Sequence, residues 1–384
     1  MAEVVPVDSV GAQGLAPTGI LDGVRAIADR RLPMLAQSID ADSVYPEDLM
    51  REFGAAGAYF RHLPMGPGLT PRRGPDLETS IRAMSIAAEH CLSTAFCMWC
   101  QDALGWYIYN GGSDALKAEI GSQVAMGEVL GGTGLSNPMK TVFGIEKLKL
   151  RATAVDGGYR VSGNLPWVSN LGPGHWFGIV FSVGTDNPRN VMAIVDCDAD
   201  GLTMVANDNF LALGGTRTYG LAFREVFVPE AHVIADPLEA FLPKIRAGFI
   251  LLQAGMAFGL IQSSIRLMEQ MKRPLGHVNS HLPEQPEYFA EQLAAMEGAV
   301  FELAKTPYET SQDYFAEVIR ARLLAGDATV QAAHAAMLHC GARGYVTGAE
   351  AQRRLREAYF VAIVTPATKQ LRKMLADMGE PLAA

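Results

Sequence analysis

The sequence predicts an α+β fold in three parts: an N-terminal helical domain, a middle antiparallel β-domain and a C-terminal four-helix bundle. Apolar residues recur at helical spacing up to about residue 126, which indicates amphipathic helices. Short β-branched and aromatic segments separated by turns follow, and long segments with few helix breakers occupy the last third. We place the domains at 1–126, 127–236 and 237–384.

The first domain is predicted to consist of helices joined by short turns. Segments 20–37 and 77–93 carry apolar residues at helical spacing, and Pro46 is suited to the first turn of a helix. Segment 97–109 is apolar on nearly every face, which is typical of a helix that is buried on all sides.

The middle domain is predicted to be an antiparallel sandwich or barrel, because its strands are short and closely spaced by turns. Runs rich in Gly, Asp and Pro separate the strands. The predicted strands cover 148–154, 159–162, 176–183, 191–197 and 220–228.

The last domain is predicted to hold four long helical segments, which cover 240–271, 286–305, 314–340 and 350–378. Their weakly polar faces suit a four-helix bundle that packs against copies of itself. Charged residues make up only 19% of the chain, so we expect part of this surface to be covered in an oligomer.

Composition excludes several classes of function. The net charge of −9, from 32 basic and 41 acidic residues, argues against a duplex nucleic-acid binder. Five cysteines are too few for a disulfide scaffold, and the first residues lack the pattern of a signal peptide. Segment 247–262 is apolar but too short to span a bilayer. We therefore expect a soluble cytoplasmic protein without a membrane partner.

Common catalytic and ligand-binding motifs are missing or weak. The chain has neither the dinucleotide fingerprint nor the P-loop, and its eight histidines form no tight cluster, so we expect no metal. Cys97 and Cys100 form a C-x-x-C in apolar surroundings, where cysteines usually behave as small buried hydrophobes. Ser136 lacks the second glycine of a nucleophile elbow, and we expect Pro138 to obstruct a helix starting there.

Three features favour a ligand site. The small residues of 131–136 could let backbone N–H groups approach a ligand closely. Trp167 and Ser169 would share one face of a strand, where a ring and a hydroxyl could meet one flat heterocycle. The turn at 341–345 interrupts the last helices.

Two segments resemble signatures of the acyl-CoA dehydrogenase family. Residues 158–170 (GYRVSGNLPWVSN) are similar to the family's G-Y-x-(I/L)-x-G-x-K-x-W-(I/V)-(S/T)-N. Residues 213–236 (LGGTRTYGLAFREVFVPEAHVIAD) resemble its L-G-x-R…T…F-x-x-V-x-V-P segment. The run 341–372 can be aligned with the family's C-terminal pattern, so the resemblance covers nearly the whole chain.

The resemblance implies an FAD-dependent oxidoreductase that acts on CH–CH groups of an acyl thioester or a related small molecule. It also implies a homotetramer, with a homodimer as the alternative, and an electron-transfer flavoprotein as a possible partner. The residues that it assigns to the cofactor are Thr133, Ser136, Trp167, Ser169, Lys272, Arg273, Gly341, Gly344 and Lys369. The residues suggested for the substrate pocket are Trp99, Gln101 and Phe249.

The chain departs from the family at the catalytic base. The family's glutamate corresponds to Thr365, and the alternative position on the first bundle helix corresponds to Phe249. A threonine hydroxyl is a poor general base near neutral pH. A dehydrogenase would then need a displaced base, for which the candidates are Asp102, Glu239 and Glu357. A coenzyme A ester would also need cations for its phosphates, such as Lys140, Lys244 and Arg246.

Two other functions stay open. The chain could be a monooxygenase that takes up reduced FMN or FAD from a flavin reductase and uses oxygen, which needs hydrogen-bond donors rather than a glutamate. Such donors could be Ser136, Ser169, Thr365 or His339. The chain could also be a catalytically silent binding homologue, as the missing glutamate suggests.

Overall fold

The computed structural model describes residues 17–59, 76–184, 188–207 and 209–381. Helices occupy the chain up to Met126, strands dominate up to Ala235, and helices return from Leu238. This order of elements confirms the predicted fold class. The exact domain boundaries at 126 and 236 stay a prediction.

The first part is helical throughout. Asp76 caps the helix that begins at Leu77, because its carboxylate accepts a hydrogen bond of 3.0 Å from the Thr79 N–H. A π-helical turn at Lys117–Gly121 connects the fifth and sixth helices. The helices are α1 Pro17–Ala41, α2 Glu47–Ala55, α3 Leu77–Ala88, α4 Leu92–Asn110, α5 Asp114–Leu116 and α6 Ser122–Met126.

The middle part is an eight-stranded sheet with the order β6-β7-β3-β2-β4-β5-β8, and β1 pairs with β4. Most pairs are antiparallel, but β2 and β1 each run parallel to β4. Hydrogen bonds join all eight strands into one sheet, where the sequence suggested a sandwich or barrel. The strands are β1 Gly131–Thr133, β2 Leu150–Val155, β3 Gly158–Val168, β4 Trp176–Val183, β5 Arg189–Asp196, β6 Leu202–Ala206, β7 Tyr219–Pro229 and β8 Val233–Ala235.

The sheet has its own hydrophobic core, whereas the two helical parts share a single larger core. One short helix, α7 Ser136–Val142, lies between β1 and β2. The C-terminal helices are α8 Leu238–Leu251, α9 Ala254–Asn279, α10 Pro286–Ala304, α11 Gln312–Cys340, α12 Glu350–Ile363 and α13 Thr368–Asp377.

Helix α9 packs closely on α3. A Cβ on Gly255 would lie 2.5 Å from the Ile81 carbonyl oxygen, and one on Gly259 would collide with the Ser85 carbonyl oxygen. Only glycine allows this approach of the two backbones. The contact fixes the first bundle helices against the N-terminal part, which is why the two parts share a core.

Three predicted segments are each divided in the structure. Segment 77–93 turns between α3 and α4, 240–271 breaks between α8 and α9, and 350–378 breaks between α12 and α13. Pro366 accounts for the last break, because proline lacks an N–H and disfavours helical geometry in the residue before it. The sequence also missed the short strands β1, β6 and β8.

The stretch Leu238–Asn279 contains the one 18-residue window among the described residues that is apolar enough to cross a membrane. In this protein 94% of that window is buried inside the fold. The stretch therefore forms the apolar centre of the bundle.

Candidate functional site

The loop at 131–136 holds the sheet and α4 together. The Gly131 N–H donates to the Gln101 side-chain oxygen at 2.8 Å, and the Gly134 N–H donates to the Gly178 carbonyl at 2.7 Å. A Cβ on Gly132 would collide with the Ser169 carbonyl oxygen. The small residues are thus needed for close packing of backbones, and the prediction that they serve ligand approach was wrong for the Gly131 and Gly134 N–H groups.

Gln101 links α4 to this loop and does not line a pocket. Its amide nitrogen donates to the carbonyls of Val124 and Val129, each at 2.8 Å, while its oxygen accepts from Gly131. All these partners are protein groups and the side chain is fully buried. These bonds give Gln101 a structural role, and its assignment to the substrate pocket stays a prediction.

Trp99 and Phe249 are also core residues. Their ring centroids lie 5.1 Å apart in an edge-to-face arrangement, and the Trp99 indole N–H points to the Phe249 carbonyl at 3.4 Å. Both side chains are almost completely buried. Both belong to the same apolar core as Tyr107, whose hydroxyl lies 2.9 Å from the Thr133 hydroxyl.

Ser136 starts α7, and Pro138 lies inside the first turn of that helix. The expectation that Pro138 would obstruct a helix was wrong, because the N–H groups of a first turn have no partner within the helix. As a result, the Ser136 hydroxyl lies at the start of α7, 3.0 Å from the Thr365 hydroxyl. The structure thus brings together two residues that the sequence suggested separately.

A chain of hydrogen bonds continues from Thr365 into the bundle. The Gln253 amide nitrogen donates to the Thr365 carbonyl at 2.8 Å, and the Gln253 oxygen accepts from Arg322 Nε at 2.8 Å. Arg322 also donates to the Val361 carbonyl. These bonds leave Gln253 one orientation and fix the linker between α12 and α13.

Arg322 is only 3% exposed. Burial lowers the pKa of its guanidinium to about 10, because a charged group is poorly solvated inside the protein. No ion pair joins Arg322 to a carboxylate among the residues that the structure describes. The positively charged Arg322 therefore contacts Gln253, which in turn bonds to the Thr365 carbonyl.

Trp167 lies at the protein surface and borders the same groove as Ser136. Its side chain is 53% exposed, and it forms no ring contact with any residue in the described ranges. Together with Ser136, Lys140, Glu146 and Lys149 it lines a shallow groove, which we call the Trp167 groove. An exposed flat ring beside a hydroxyl is the kind of surface that an isoalloxazine ring system fits.

Glu146 is the one carboxylate that lines the Trp167 groove. Lys140 contacts it at 2.8 Å and Lys149 at 3.3 Å. Burial opposes ionisation, but these two lysines outweigh it and hold the pKa of Glu146 below its ordinary value. A carboxylate with a lowered pKa is a weak base, so Glu146 is poorly suited to remove a proton.

Ser169 and Trp167 do not share a face of one strand. Strand β3 ends at Val168, and its pairing with β7 shifts register between Leu165 and Val168, so the simple alternation no longer holds. Ser169 is buried and its hydroxyl lies 2.7 Å from that of Thr218. The predicted common face was wrong, while the roles of both residues stay predictions.

The residues assigned to the nucleotide do not line the Trp167 groove. Gly341 has φ +57°, and open space surrounds the position of a Cβ there, whereas Gly344 packs against Cys340 and Ala351. Lys272 bonds to Glu269 at 2.7 Å and Glu287 at 2.5 Å. The side chains of Arg273 and Lys369 are exposed. No contact within the described chain joins these residues to the Trp167 groove, so their assignment stays a prediction.

His339 is buried at the end of α11, where its Nε2 lies 2.9 Å from the Glu284 carbonyl. Its contacts are with the loop before α10 and not with Ser136 or Thr365. Of the four proposed donors, Ser136 and Thr365 are thus the two in direct contact with each other.

The three candidate displaced bases have other contacts. Glu357 is buried between two arginines, at 2.8 Å from Arg354 and 3.2 Å from Arg353. Glu239 accepts a bond of 2.7 Å from Asn190. Asp102 is buried on α4, and burial raises the pKa of its carboxyl well above the usual range. None of them lines the Trp167 groove.

The three cations suggested for coenzyme A phosphates all have partners within the described chain. Lys140 lines the groove but is paired with Glu146. Lys244 donates to the Asn110 carbonyl at 2.9 Å, and Arg246 donates to the Thr310 carbonyl at 3.2 Å.

Burial raises the pKa of Cys97 and Cys100, so their thiols stay protonated. The described ranges contain no cluster of metal-binding side chains.

Comparison with known proteins decides the relationship. The family model described as acyl-CoA dehydrogenase, N-terminal domain, matches residues 18–128. Benzylmalonyl-CoA dehydrogenase of Aromatoleum aromaticum is 22% identical over 367 residues, which cover 93% of this chain and 96% of that protein. These similarities support a relationship to the acyl-CoA dehydrogenase family. That Thr365 takes the position of the family's usual glutamate stays a prediction.

Solved structures confirm the acyl-CoA dehydrogenase fold. Butyryl-CoA dehydrogenase of Megasphaera elsdenii has a TM-score of 0.82 at 17% identity and covers 96% of this chain and 100% of its own. Glutaryl-CoA dehydrogenase of Mycobacterium smegmatis, solved with FADH2, has 0.74 at 18%, covering 96% of each chain. Dibenzothiophene monooxygenase of Paenibacillus sp. A11-2 has 0.78 at 14%, covering 95% and 98%. The fold is thus shared by flavin-dependent dehydrogenases and a monooxygenase.

Sequence reasoning missed five residues of this region: Tyr107, Gln253, Arg322, Glu146 and Lys149. Gln253 lies in an apolar stretch between α8 and α9, and Arg322 lies on α11 beside the apolar Leu323 and Leu324; a polar residue in apolar surroundings is a signal that it has a specific partner. Glu146 and Lys149 belong to a charged surface segment that carries no comparable signal.

Proposed function

We propose that this protein is an FAD-dependent oxidoreductase that acts on a CH–CH group of an acyl thioester or a related small molecule. The observation that carries the proposal is the position of Trp167, exposed near the end of β3 beside the Ser136–Thr365 hydroxyl pair. The similarity to acyl-CoA dehydrogenases over most of the chain supports it.

When bound, FAD would supply the redox chemistry by accepting a hydride equivalent from the substrate. Trp167 would offer one ring face for stacking, which is worth about 0.5–1.5 kcal/mol for aromatic pairs. In the Ser136–Thr365 pair one hydroxyl donates to the other, so one O–H proton is left to donate to a ligand. Gln253 holds the Thr365 carbonyl and thereby leaves the Thr365 hydroxyl directed at Ser136.

A second group of residues would hold the nucleotide part of the cofactor. We propose that Gly341, Gly344, Lys272, Arg273 and Lys369 of a neighbouring copy meet the nucleotide part of FAD in a homotetramer or a homodimer. Gly341, Gly344, Lys272 and Arg273 have no contact with the Trp167 groove within the described chain, which supports contact from a neighbouring copy. We propose a cytoplasmic location and an electron-transfer flavoprotein as the electron acceptor.

A second function has its own support. The polar groups beside Trp167 are two neutral hydroxyls, and the nearby Glu146 is neutralised by two lysines. Such a site can donate hydrogen bonds but cannot easily remove a proton. This favours a reduced-flavin-dependent monooxygenase, supplied with FMN or FAD by a flavin reductase, as the alternative.

The visible absorption spectrum after incubation with FAD and gel filtration tests the shared part of both functions. We expect oxidised flavin to co-elute with the protein. Protein without flavin absorbance would contradict the dehydrogenase function and would favour a silent homologue or a diffusible reduced flavin.

Two assays then separate the enzymes. Anaerobic bleaching of the bound flavin by members of an acyl-CoA panel would support dehydrogenation. Oxygen consumption that occurs only with a flavin reductase and a reductant, without bleaching by the panel, would support the monooxygenase. If neither assay responds, the protein is a silent binding homologue and both proposals fail.

A further inference from the structure

A cavity of about 450 Å³ lies where α1, α3, α9 and α10 meet. This volume lies in the range of small-molecule sites, which are about 300–1,000 Å³. No residue of the Trp167 groove lines this cavity. Nothing in the proposed redox function uses it.

The inner wall of the cavity is apolar. It is formed by side chains that are almost completely buried: Ile86, Phe258, Leu293 and Phe301. Such a wall can contact the apolar body of a ligand and exclude water from it. The ring of Phe301 already carries the Arg82 guanidinium at 4.1 Å, so Phe258 and Leu293 are the surfaces left for a ligand.

The charges around the cavity do not cancel. Arg25 forms a two-point ion pair with Glu89 at 2.6 and 2.8 Å, and Arg82 bonds to Glu78 at 2.9 Å. Both arginines are therefore compensated. The charged side chains that remain in the lining are Asp22 and Glu297, and no ion pair or hydrogen bond joins either of them to another described residue.

Glu297 is the deeper of the two carboxylates, because Asp22 is exposed and Glu297 is half-buried. Burial raises the pKa of Glu297, the nearby Arg82 opposes this, and the negative charges of Glu78 and Glu89 add to the rise. A bound cation would relieve this penalty. The hydroxyl of Ser85 and the amide of Gln262 also line the cavity without a hydrogen bond to any described residue.

We propose that this cavity binds an organic ammonium ion whose apolar body lies against Phe258 and Leu293 while its charge pairs with Glu297. Ser85 and Gln262 would accept the remaining ammonium hydrogens. The inference does not rest on the redox function. It concerns a second binding site on the outer side of the helical part.

Calorimetric titration with 2-phenylethylamine tests the proposal on the full chain. We compare wild type with Glu297→Gln, which removes the charge and keeps the shape, and with Glu291→Gln, an exposed position on the same helix. We expect Glu297→Gln to weaken binding about tenfold or more, since a hydrogen bond to a charged group is worth about 1.5–3 kcal/mol. Glu291→Gln should bind like wild type.

The neutral analogue 2-phenylethanol provides a test that needs no variant, and wild type should bind it at least about tenfold more weakly than the amine. Equal binding of the amine and the alcohol would overturn the proposal. So would equal amine binding by Glu297→Gln and wild type, amine binding that Trp167→Ala abolishes, or no measurable binding of the amine.

Discussion

Two buried arginines of the bundle, Arg354 on α12 and Arg322 on α11, are held in different ways. Arg354 is fully buried and bonds to Glu357 at 2.8 Å, to Glu350 at 3.2 Å and to the Ala88 carbonyl at 3.0 Å. Arg322 bonds to an amide oxygen and a backbone carbonyl instead. One guanidinium is neutralised by carboxylates, and the other is solvated only by neutral groups.

The difference separates a structural centre from the candidate site. The Arg354 cluster fastens α12 to the corner between α3 and α4, and the Glu357 carboxylate also accepts from the Leu92 N–H. Around Thr365 the polar neighbours are the Ser136 hydroxyl and the Gln253 amide, and Gln253 in turn contacts the positively charged Arg322. The buried Glu357 carboxylate thus serves packing at one end of the bundle, and no buried carboxylate lines the Trp167 groove.

The largest expected effect is on the Arg354 cluster. Glu357→Gln would remove the carboxylate charge that compensates the buried Arg353 and Arg354. Breaking a buried ion pair lowers the free energy of unfolding by about 3–5 kcal/mol. Urea unfolding should show this loss. Glu317→Gln, which breaks the exposed pair with Arg320, should cost about 1 kcal/mol or less. Equal losses in the two variants would show that the cluster does not hold α12.

The Gln253–Arg322 contact should be the next most costly to break. Gln253→Leu would leave Arg322 Nε and the Thr365 carbonyl without their partner, and an unsatisfied buried group costs about 1–3 kcal/mol. Urea unfolding measures it, with Gln312→Leu at an exposed position of α11 as the control. An unchanged free energy of unfolding would contradict the described network.

Trp167→Ala should affect the flavin and leave the fold intact. Loss of stacking worth about 1.4 kcal/mol lowers FAD affinity about tenfold, and removal of a half-exposed ring should change the free energy of unfolding very little. Flavin retained after gel filtration measures the first effect. Val205→Ala, at another exposed position of the sheet, should retain flavin like wild type, and equal retention by Trp167→Ala would refute stacking.

The smallest effect concerns acid stability at the Trp167 groove. The pKa of folded Glu146 lies below its ordinary value of 4.5, so the stabilisation is complete above that pH and is lost as pH falls through the folded pKa. Glu146→Gln should therefore flatten the acid limb of stability by less than about 1 kcal/mol, since the group is partly solvated and its partner Lys149 is exposed. A loss confined to alkaline pH would contradict this assignment.

Much of the fold follows from local pattern. Long helices such as α11 and strands such as β4 agree with the prediction to within two residues, because apolar spacing and turn residues mark them directly. Strands β1, β6 and β8 were missed, since three to five residues give too short a pattern. The break at Gln253 depends on bonds to residues 112 and 69 positions away, which no local rule contains.

The site was predictable only in part. The family signature identified Trp167, and alignment pointed to Thr365, but the contact between Ser136 and Thr365 joins residues 229 positions apart. The pocket assignments of Trp99, Gln101 and Phe249 stay predictions, because apolar helix faces look alike whether they line a cavity or fill a core.

We propose that residue 365 occupies the family's base position and carries a hydroxyl there. The most direct test is the rate of anaerobic flavin reduction by an acyl-CoA panel in Thr365→Glu compared with wild type at equal flavin content. A well-placed base contributes about 10²–10⁴-fold, so we expect the variant to be faster by a factor in that range. A flavin-loaded Thr365→Glu protein that is reduced no faster than wild type would contradict the claim.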